Sequence, residues 1–284
     1  MPEIKIIKHN ERPACSICED RGIIFNVANR KSQVSFIEVC RCIEEACICD
    51  KKPPYMVFNH ETRTMQNCAC RKTRASIDRI NFLFKNSNIP VRFRYRRLFE
   101  FETKASDKEI EKNLALALDN AQHFIMHLEK LNSESVKGLY FFGAPGSGKT
   151  FISCLILNEI ILRYQMNVRY VKITRDFFNQ IRATFSFDSQ AYGKGEDIFK
   201  DLMNKDVLVI DDFGVQADTA WEQRTLYDLI DARYEADKPT ILTSNLQPEE
   251  IDKMNLFGGR ILSRLKEMTD FQPIICTDYR ENFY

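Results

Sequence analysis

The run Gly143-Ala144-Pro145-Gly146-Ser147-Gly148-Lys149-Thr150 follows the apolar stretch Leu139-Tyr140-Phe141-Phe142 and opens a helix-patterned segment from Phe151 to Tyr164. Glycines at these intervals let backbone N–H groups curl round a triphosphate. The lysine reaches its β- and γ-phosphates, and the Thr hydroxyl at the helix N-terminus sits on Mg²⁺. The pattern is a strand, a phosphate loop and a helix, with ATP and Mg²⁺ as the expected cofactors. The plain alternative is an ordinary Gly-rich turn; the buried-type strand before it and the apolar helix after it argue against that. A second buried-type strand, Val207-Leu208-Val209-Ile210, ends in Asp211-Asp212. Asp211 is expected to hold Mg²⁺ through water and Asp212 to orient or deprotonate the attacking water, because phosphoryl transfer needs a placed nucleophile. Alone, such a pair merely caps a strand before Phe213-Gly214. Downstream of a phosphate loop it completes a site.

A second chemistry is written in the cysteines. Eight of ten fall in the pairs Cys15/Cys18, Cys40/Cys42, Cys47/Cys49 and Cys68/Cys70. In a reducing compartment such pairing means metal rather than disulfide. Cys-x-x-Cys makes a tight knuckle, and the thiols of Cys-x-Cys point to one side of an extended strand, so each pair offers two ligands to one tetrahedral ion. Read in order, the pairs make two four-thiolate sites: Cys15, Cys18, Cys40 and Cys42, then Cys47, Cys49, Cys68 and Cys70. Crossed pairing, and His60 in place of one thiol, stay open. Each set encloses a hairpin pattern: Ile23–Phe25 and Val34–Ile37 round the turn Ala28–Ser32, then Tyr55–Phe58 and Thr64-Met65 round Asn59–Thr62. Four thiolates with no open position describe a structural Zn²⁺ site, two of which are expected; an iron–sulfur cluster would use the same ligands. Cys154 and Cys276 sit at apolar positions and read as core, and His123 and His127 as surface residues with no third ligand.

The 284 residues leave room for one large core plus a small appended module. No apolar stretch approaches a membrane span, and Met1-Pro-Glu-Ile-Lys5 has no signal-peptide core, so a cytoplasmic protein with no membrane partner is expected. Net charge is +1, but residues 1–100 hold 19 of the 41 Lys+Arg and 11 of the 40 Asp+Glu, which is +8 and leaves 22 − 29 = −7 for the rest. The basic half suits nucleic acid or an acidic protein surface.

The elements that must carry these groups alternate between strand and helix patterns. Val168–Ile173 reads as a strand, Thr174 as the cap of a helix through Phe185, Trp221–Ala236 as an amphipathic helix, and Thr240–Thr243 as a buried strand ending at Ser244-Asn245. Alternation of this kind implies a mainly parallel sheet flanked by helices. Ser106 with Glu109 predicts a capping box for a helix whose face carries Ile110, Leu114, Ala117, Ala121, Phe124, Leu128 and Leu131. Between the two chemistries, Arg92, Arg94 and Arg96 alternate with Phe93 and Tyr95. That interleaving fits stacked bases on a nucleic-acid backbone or, equally, an edge strand or clasp packing its aromatics inward. The expected organisation is a cysteine-rich zinc-ribbon-like module over 1–88, a basic/aromatic linker over 89–105 and a P-loop ATPase domain over 106–284.

Gly143–Thr150, Val207–Gly214, Leu229–Tyr234, Pro239–Leu246 and Gly258–Leu265 together resemble the AAA+ ATPases of the DnaC/DnaI helicase-loader and IstB transposition-helper group. Cys15-x-x-Cys18-x-Asp20-x-Gly22, the later Cys-x-Cys and Ile89-Pro90-x-Arg92-Phe93 also resemble the zinc-bearing loaders. The resemblance implies an AAA+ P-loop fold. It makes Asn245 the sensor 1 residue that helps place the lytic water, Arg264 the finger for a neighbouring subunit's γ-phosphate with Arg260 second, and Arg280 the sensor 2 arginine. It places Phe178, Arg182 and Phe185 on an extra helix lining a single-strand channel. Two departures are an Asp-Asp pair where most AAA+ enzymes have Asp-Glu, implying slow hydrolysis, and too few residues after Arg264 for a full helical lid. The implied function is an ATP-dependent helicase loader in DNA replication. Its partners would be a replicative hexameric DNA helicase, single-stranded DNA and further copies of itself through the ATP interface. An IstB-like transposition helper, which usually lacks the metal module, and a metal-ribbon adapter with negligible turnover are the alternatives. A small-molecule kinase shares the phosphate loop but leaves Ser263-Arg264 and the cysteines unexplained.

Overall fold

The computed structural model describes residues 15–19, 21–26, 36–131, 134–184, 193, 195–214, 219–253 and 259–276. Arg280, Phe185, Gly258 and the 28–32 turn lie outside the described residues. The cysteine-rich part holds two antiparallel hairpins, β1 (Ile23–Asn26) with β2 (Phe36–Val39), and, after the short helix α1 (Arg41–Glu45), β3 (Met56–Asn59) with β4 (Thr64–Asn67). Then come α2 (Arg71–Asn86) and, after an irregular segment, α3 (Lys108–His127). Next are β5 (Gly138–Phe142), α4 (Lys149–Tyr164), β6 (Val168–Lys172), a π-helical turn over Ile173–Phe178, α5 (Asn179–Ala183) and α6 (Gly195–Asn204). The chain continues through β7 (Val207–Asp211), α7 (Ala220–Glu235), β8 (Thr240–Ser244), α8 (Pro248–Lys253), α9 (Arg260–Met268) and β9 (Thr269–Pro273).

Five strands form one parallel sheet in the order β6-β7-β8-β5-β9. The inner strands β5, β7 and β8 are almost wholly buried because both faces are covered, while the edge strands β6 and β9 carry polar residues. Successive side chains leave opposite faces, and the two packed clusters follow that period: Val207, Val209, Leu139, Phe141 and Ile241 face one, Leu208, Ile210, Tyr140 and Leu242 the other. On the first face α4 lies under α2 and α3, which is why its Ile152, Leu155, Ile156, Leu157, Ile160 and Ile161 are all fully buried. Each such side chain contributes about 1.5–3 kcal/mol relative to exposure. Ile23, Ile37, Ile77, Ile80, Leu83 and Phe84 join that same cluster, so the first hairpin and α2 pack on the core of the five-stranded sheet. Among the described residues no helix is long and apolar enough to cross a membrane.

Two local expectations are corrected, and of the readings offered for the basic/aromatic segment the clasp is the one observed. The cap of α3 is Asp107, not Ser106: its side chain accepts from Glu109 N at 2.7 Å and Ile110 N at 3.4 Å, so the helix starts at Lys108. The helix after β6 begins at Ile173 as a π-helical turn with Lys172 before it, rather than at a Thr174 cap. The basic/aromatic segment is neither an edge strand nor an open stacking surface but a clasp built from two 3₁₀ turns, Val91–Phe93 and Leu98–Glu100. Phe93 is buried against Phe151, and Tyr95 packs on Phe84 with ring centroids 4.1 Å apart.

Buried polar groups of α4 hold the clasp. Asn158 Nδ2 donates to Phe93 O at 2.6 Å and Arg96 O at 2.9 Å. The Glu159 carboxylate, 1% exposed, accepts from Arg97 Nε at 2.7 Å, Leu98 N at 3.0 Å and Arg163 Nε at 2.9 Å. Burial pushes the Glu159 carboxyl up, but Arg97, the Leu98 N–H and Arg163 outweigh it and hold it below its ordinary value. A carboxyl depressed by folding gives its stabilisation above the unfolded value, about 4.3, and loses it as pH falls through the folded one. Thermal melting of Glu159→Gln against pH is therefore expected to lack part of the acid-side loss seen in the wild type; superimposable profiles would contradict this.

Candidate nucleotide and metal sites

The phosphate loop joins the end of β5 to α4. Gly143, at φ 145°, leaves no space for a Cβ, which would stand 2.4 Å from Ile274 O; Gly148, at φ 101°, turns the chain into α4. Lys149 is 6% exposed, and its Nζ donates to Gly143 O at 2.9 Å, Ala144 O at 2.7 Å and Ser147 Oγ at 3.4 Å. Burial lowers its pKa, opposed by the charges of Asp211 and Asp212. An ammonium curled inside a glycine loop, solvated only by carbonyls and a hydroxyl, fits a phosphate-binding lysine.

The carboxyl ends of β6, β7 and β8 complete the site. Asp211 is 2% exposed; its Oδ1 accepts from Thr150 Oγ1 at 2.7 Å and Thr243 Oγ1 at 2.6 Å, and its Oδ2 from Tyr170 OH at 2.6 Å. Thr150 and Asp211, the two expected Mg²⁺ residues, are thus in direct contact. Asp212, at φ 59°, pairs with Lys172 Nζ at 2.6 Å, and its N–H donates to Thr243 Oγ1 at 3.1 Å. A cleft of about 510 Å³ gathers Pro145, Gly146, Gly148, Lys149, Thr150, Asp211, Asp212 and Asn245. Its far wall is Pro90, Arg92, Phe93 and Arg96 from the clasp, with Tyr170 and Lys172 from β6. Sequence reasoning missed this wall and both β6 residues. The signal for the latter was there, since strand alternation puts Tyr170 and Lys172 on one face.

The expected finger, Arg264 on α9, lines no part of this cleft. Its guanidinium pairs with Asp231 on α7 and lies over the rings of Tyr227 at 5.1 Å and Tyr234 at 5.4 Å. Arg260 is exposed at the start of α9. Phe178 does not offer a stacking surface for single-stranded DNA: it is 1% exposed and packs between Phe177 and Trp221. Arg182 pairs with Glu222 beside the same tryptophan.

The cysteines form the two groups in sequence order, and in each the four ligand atoms lie within 4.8 Å of one another. In the first, Cys15 Sγ is 3.8 Å from Cys40 Sγ and Cys18 Sγ 3.6 Å from Cys42 Sγ. In the second, Cys70 Sγ is 3.5 Å from those of Cys47 and Cys49, and Cys68 Sγ 4.0 Å from that of Cys47. A tetrahedron with metal–sulfur arms of about 2.3 Å has edges of about 3.8 Å. The spacing fits one ion per group and is too tight for a polynuclear iron–sulfur cluster. His60 belongs to neither group and stands edge-on to Phe58. Gly22, at φ 71°, donates its N–H to Cys18 Sγ at 3.2 Å, which accounts for the glycine four residues after the knuckle cysteine. Burial opposes ionisation of Cys68, but N–H groups of Cys70, Ile48 and Cys49 bring its thiol down to about 6, so a thiolate is at hand at neutral pH. Cys154 and Cys276 are buried core residues, and His123 and His127 are exposed on α3.

A phosphate loop beside an acid-tipped strand of a five-stranded parallel sheet defines an ATP-binding α/β protein of the AAA+ class. The chain belongs to the IstB-like ATP binding protein family, whose model matches residues 70–275. It is 29% identical over 150 residues to the replicative helicase loader DnaC of Escherichia coli K12, a match covering 53% of this chain and 57% of that protein. The chain thus spans little more than half the length of that relative. A DnaC of Buchnera aphidicola subsp. Baizongia pistaciae is 25% identical over 239 residues, 83% of this chain and 90% of the relative. The fold is shared with a crystal structure of the DnaC helicase loader (TM-score 0.54, 23% identity, covering 66% of this chain and 100% of that one). It is also shared with that of DnaI (TM-score 0.51, 19% identity, covering 64% and 89%).

Proposed function

We propose that this protein is an ATP- and Mg²⁺-dependent loader of a replicative hexameric DNA helicase, in which nucleotide acts mainly as an assembly switch. Lys149 and the loop amides bind the phosphates, and Thr150 with Asp211 would hold Mg²⁺, which would supply positive charge against the charge that develops on the transferred phosphoryl group. Asp212 and Asn245 orient the attacking water. The Lys172 ammonium on Asp212 and the shorter Asp side chain both favour slow turnover. The observation that carries the switch is the place of Arg264, outside its own chain's cleft on the α7/α9 surface, where a neighbouring subunit's nucleotide can meet it. The relatives named as replicative helicase loaders support the helicase as partner; the zinc-holding module as its grip and single-stranded DNA as ligand of the assembled protein are parts of the proposal.

The test compares ATPase rate and sedimentation of wild type and Arg264→Ala, with and without single-stranded DNA and the cognate helicase. Wild type is expected to form a helicase-bound, DNA-stimulated complex with ATP, and the variant to lose that assembly along with on the order of 10³-fold in turnover. A wild-type protein that stays monomeric and ignores helicase and DNA, with the variant unchanged, would overturn the loader reading. The family's transposition helpers furnish the second reading, favoured by the IstB-like model match over residues 70–275. It would be supported if a transposase, and not a helicase, stimulated turnover. If Asp212→Asn left every behaviour unchanged, a metal-ribbon adapter with a silent ATP site would replace both.

A further inference from the structure

The carboxylate of Asp211 is almost wholly buried, and among the described residues its solvation comes from three hydroxyl groups on three different elements. Thr150 on α4 and Thr243 on β8 both donate to Oδ1; Tyr170 on β6 alone donates to Oδ2, at 2.6 Å. The phosphate loop accounts for Thr150. It gives no reason for a phenol on the neighbouring strand, where an aliphatic side chain would fill the core as well.

Tyr170 is itself fixed from behind. β6 is an edge strand of the sheet, and its open side is covered by the residues that follow α2. Tyr170 N donates to Ser87 O at 2.7 Å, Asn88 Nδ2 donates to Tyr170 O at 3.3 Å, and Arg169 Nη1 donates to Asn86 O at 2.9 Å. Backbone and phenol together span from the end of α2 to Asp211. The ring is 4% exposed and packs in the core, so its hydroxyl has little freedom to turn elsewhere.

We propose that Tyr170 is a positioning residue for the magnesium-holding carboxylate: it fixes Oδ2 of Asp211 so that Oδ1 stays turned to Thr150, where the cation of a bound nucleotide is held. This rests on the nucleotide reading of the cleft. A partner of this kind, bonded to a ligand rather than to the metal, typically carries 10- to 100-fold in metal affinity, because without it the ligand must be oriented at the moment of binding. Removing only the hydroxyl also leaves a buried carboxylate oxygen without that donor.

The experiment is Tyr170→Phe, which keeps the ring, its packing and all backbone bonds of β6. Binding of a fluorescent ATP analogue is followed twice, in EDTA and in a Mg²⁺ titration, alongside thermal melting without ligand. The expected result is a Mg²⁺ midpoint raised about 10-fold or more while affinity in EDTA stays within about twofold of wild type. An unchanged midpoint overturns the inference, leaving Tyr170 as packing alone. So does a loss of affinity that is equal in EDTA and Mg²⁺ and tracks a lowered melting temperature, since that is the mark of a general structural role. A wild-type protein that binds no nucleotide under either condition would overturn the nucleotide reading itself, and this inference with it. That result is distinguishable from the others because it appears before any variant is made.

Discussion

Cys70→Ser is expected to lower the metal content from two Zn²⁺ per chain to one and to melt the start of α2. Cys70 has no exposed surface, its sulfur stands 3.5 Å from two other thiols of its group, and it is the N-cap of α2. Its side chain makes no capping hydrogen bond, so the start of α2 is lost through the missing metal ligand. A structural Zn²⁺ is worth on the order of 10–16 kcal/mol in small zinc-binding peptides, more than the roughly 5–15 kcal/mol by which a whole domain is stable. β3 and β4 have little else to hold them: every residue of β4 is exposed, and the small cluster around Ile43 and Tyr55 is made largely of the cysteines themselves. Metal analysis of the purified variant, circular dichroism at 222 nm and protease susceptibility near residue 60 check this. Two equivalents of metal retained in a folded variant would remove Cys70 from the site.

Arg233→Leu should be the most damaging single change in the part built on the five-stranded sheet. The Arg233 side chain has no exposed surface, and its counter-charges are dipoles rather than a carboxylate. Nε donates to Thr240 Oγ1 at 2.9 Å, Nη2 to Pro239 O at 2.7 Å, and Nη1 to the carbonyls of Leu202, Met203 and Lys205 at 2.8, 3.2 and 3.0 Å. Those last carbonyls lie at the C-terminal end of α6, where a cation is also favoured by the helix dipole. Burial pulls the guanidinium pKa down to about 9, with Asp206 opposing, so it still stays charged at neutral pH. Leucine would take the guanidinium donors from five oxygens, of which Pro239 O keeps a bond from Leu208 N at 3.4 Å, at a cost of about 3–5 kcal/mol, or on the order of 10 °C in Tm. Arg233→Lys should recover only part of this, since an ammonium cannot span the acceptors of a planar fork. A Tm for Arg233→Leu within about 2 °C of wild type would mean that α6 re-caps itself with water.

The residues of the candidate nucleotide site were legible because their pattern is local: a phosphate loop is eight consecutive residues, and the acid pair adjoins its own strand. The cleft's opposite wall was not. Pro90, Arg92, Phe93 and Arg96 meet Lys149 only through tertiary packing, and their alternating pattern imitates a strand while the backbone makes 3₁₀ turns. β9 escaped for a different reason. Thr269-Asp270-Phe271-Gln272-Pro273 is an edge strand that pairs only with β5, so it needs no apolar run and carries none. α2 hid behind the cysteines, its buried Ile77, Ile80, Leu83 and Phe84 diluted by Arg and Lys on the outer face. For the metal groups the order of the pairs pointed to sequential sets and left crossed ones open; the fold brings the sequential sets together. Ser106 and Asp107 are both good caps, and backbone dihedrals, not residue preference, chose between them.

The sixteen residues of α2 make a rod of about 24 Å, seated at one end on the Cys70 sulfur and running at the other into Ser87 and Asn88, the residues tied to Tyr170. A few residues further on, the same chain becomes the wall of the cleft. Its inner face is locked by Ile80, Leu83 and Phe84 in the core, so the rod transmits a displacement instead of absorbing it. Were a macromolecule to seize the cysteine end and shift α2, the wall of the cleft would shift with it, and by reciprocity filling the cleft would alter that grip.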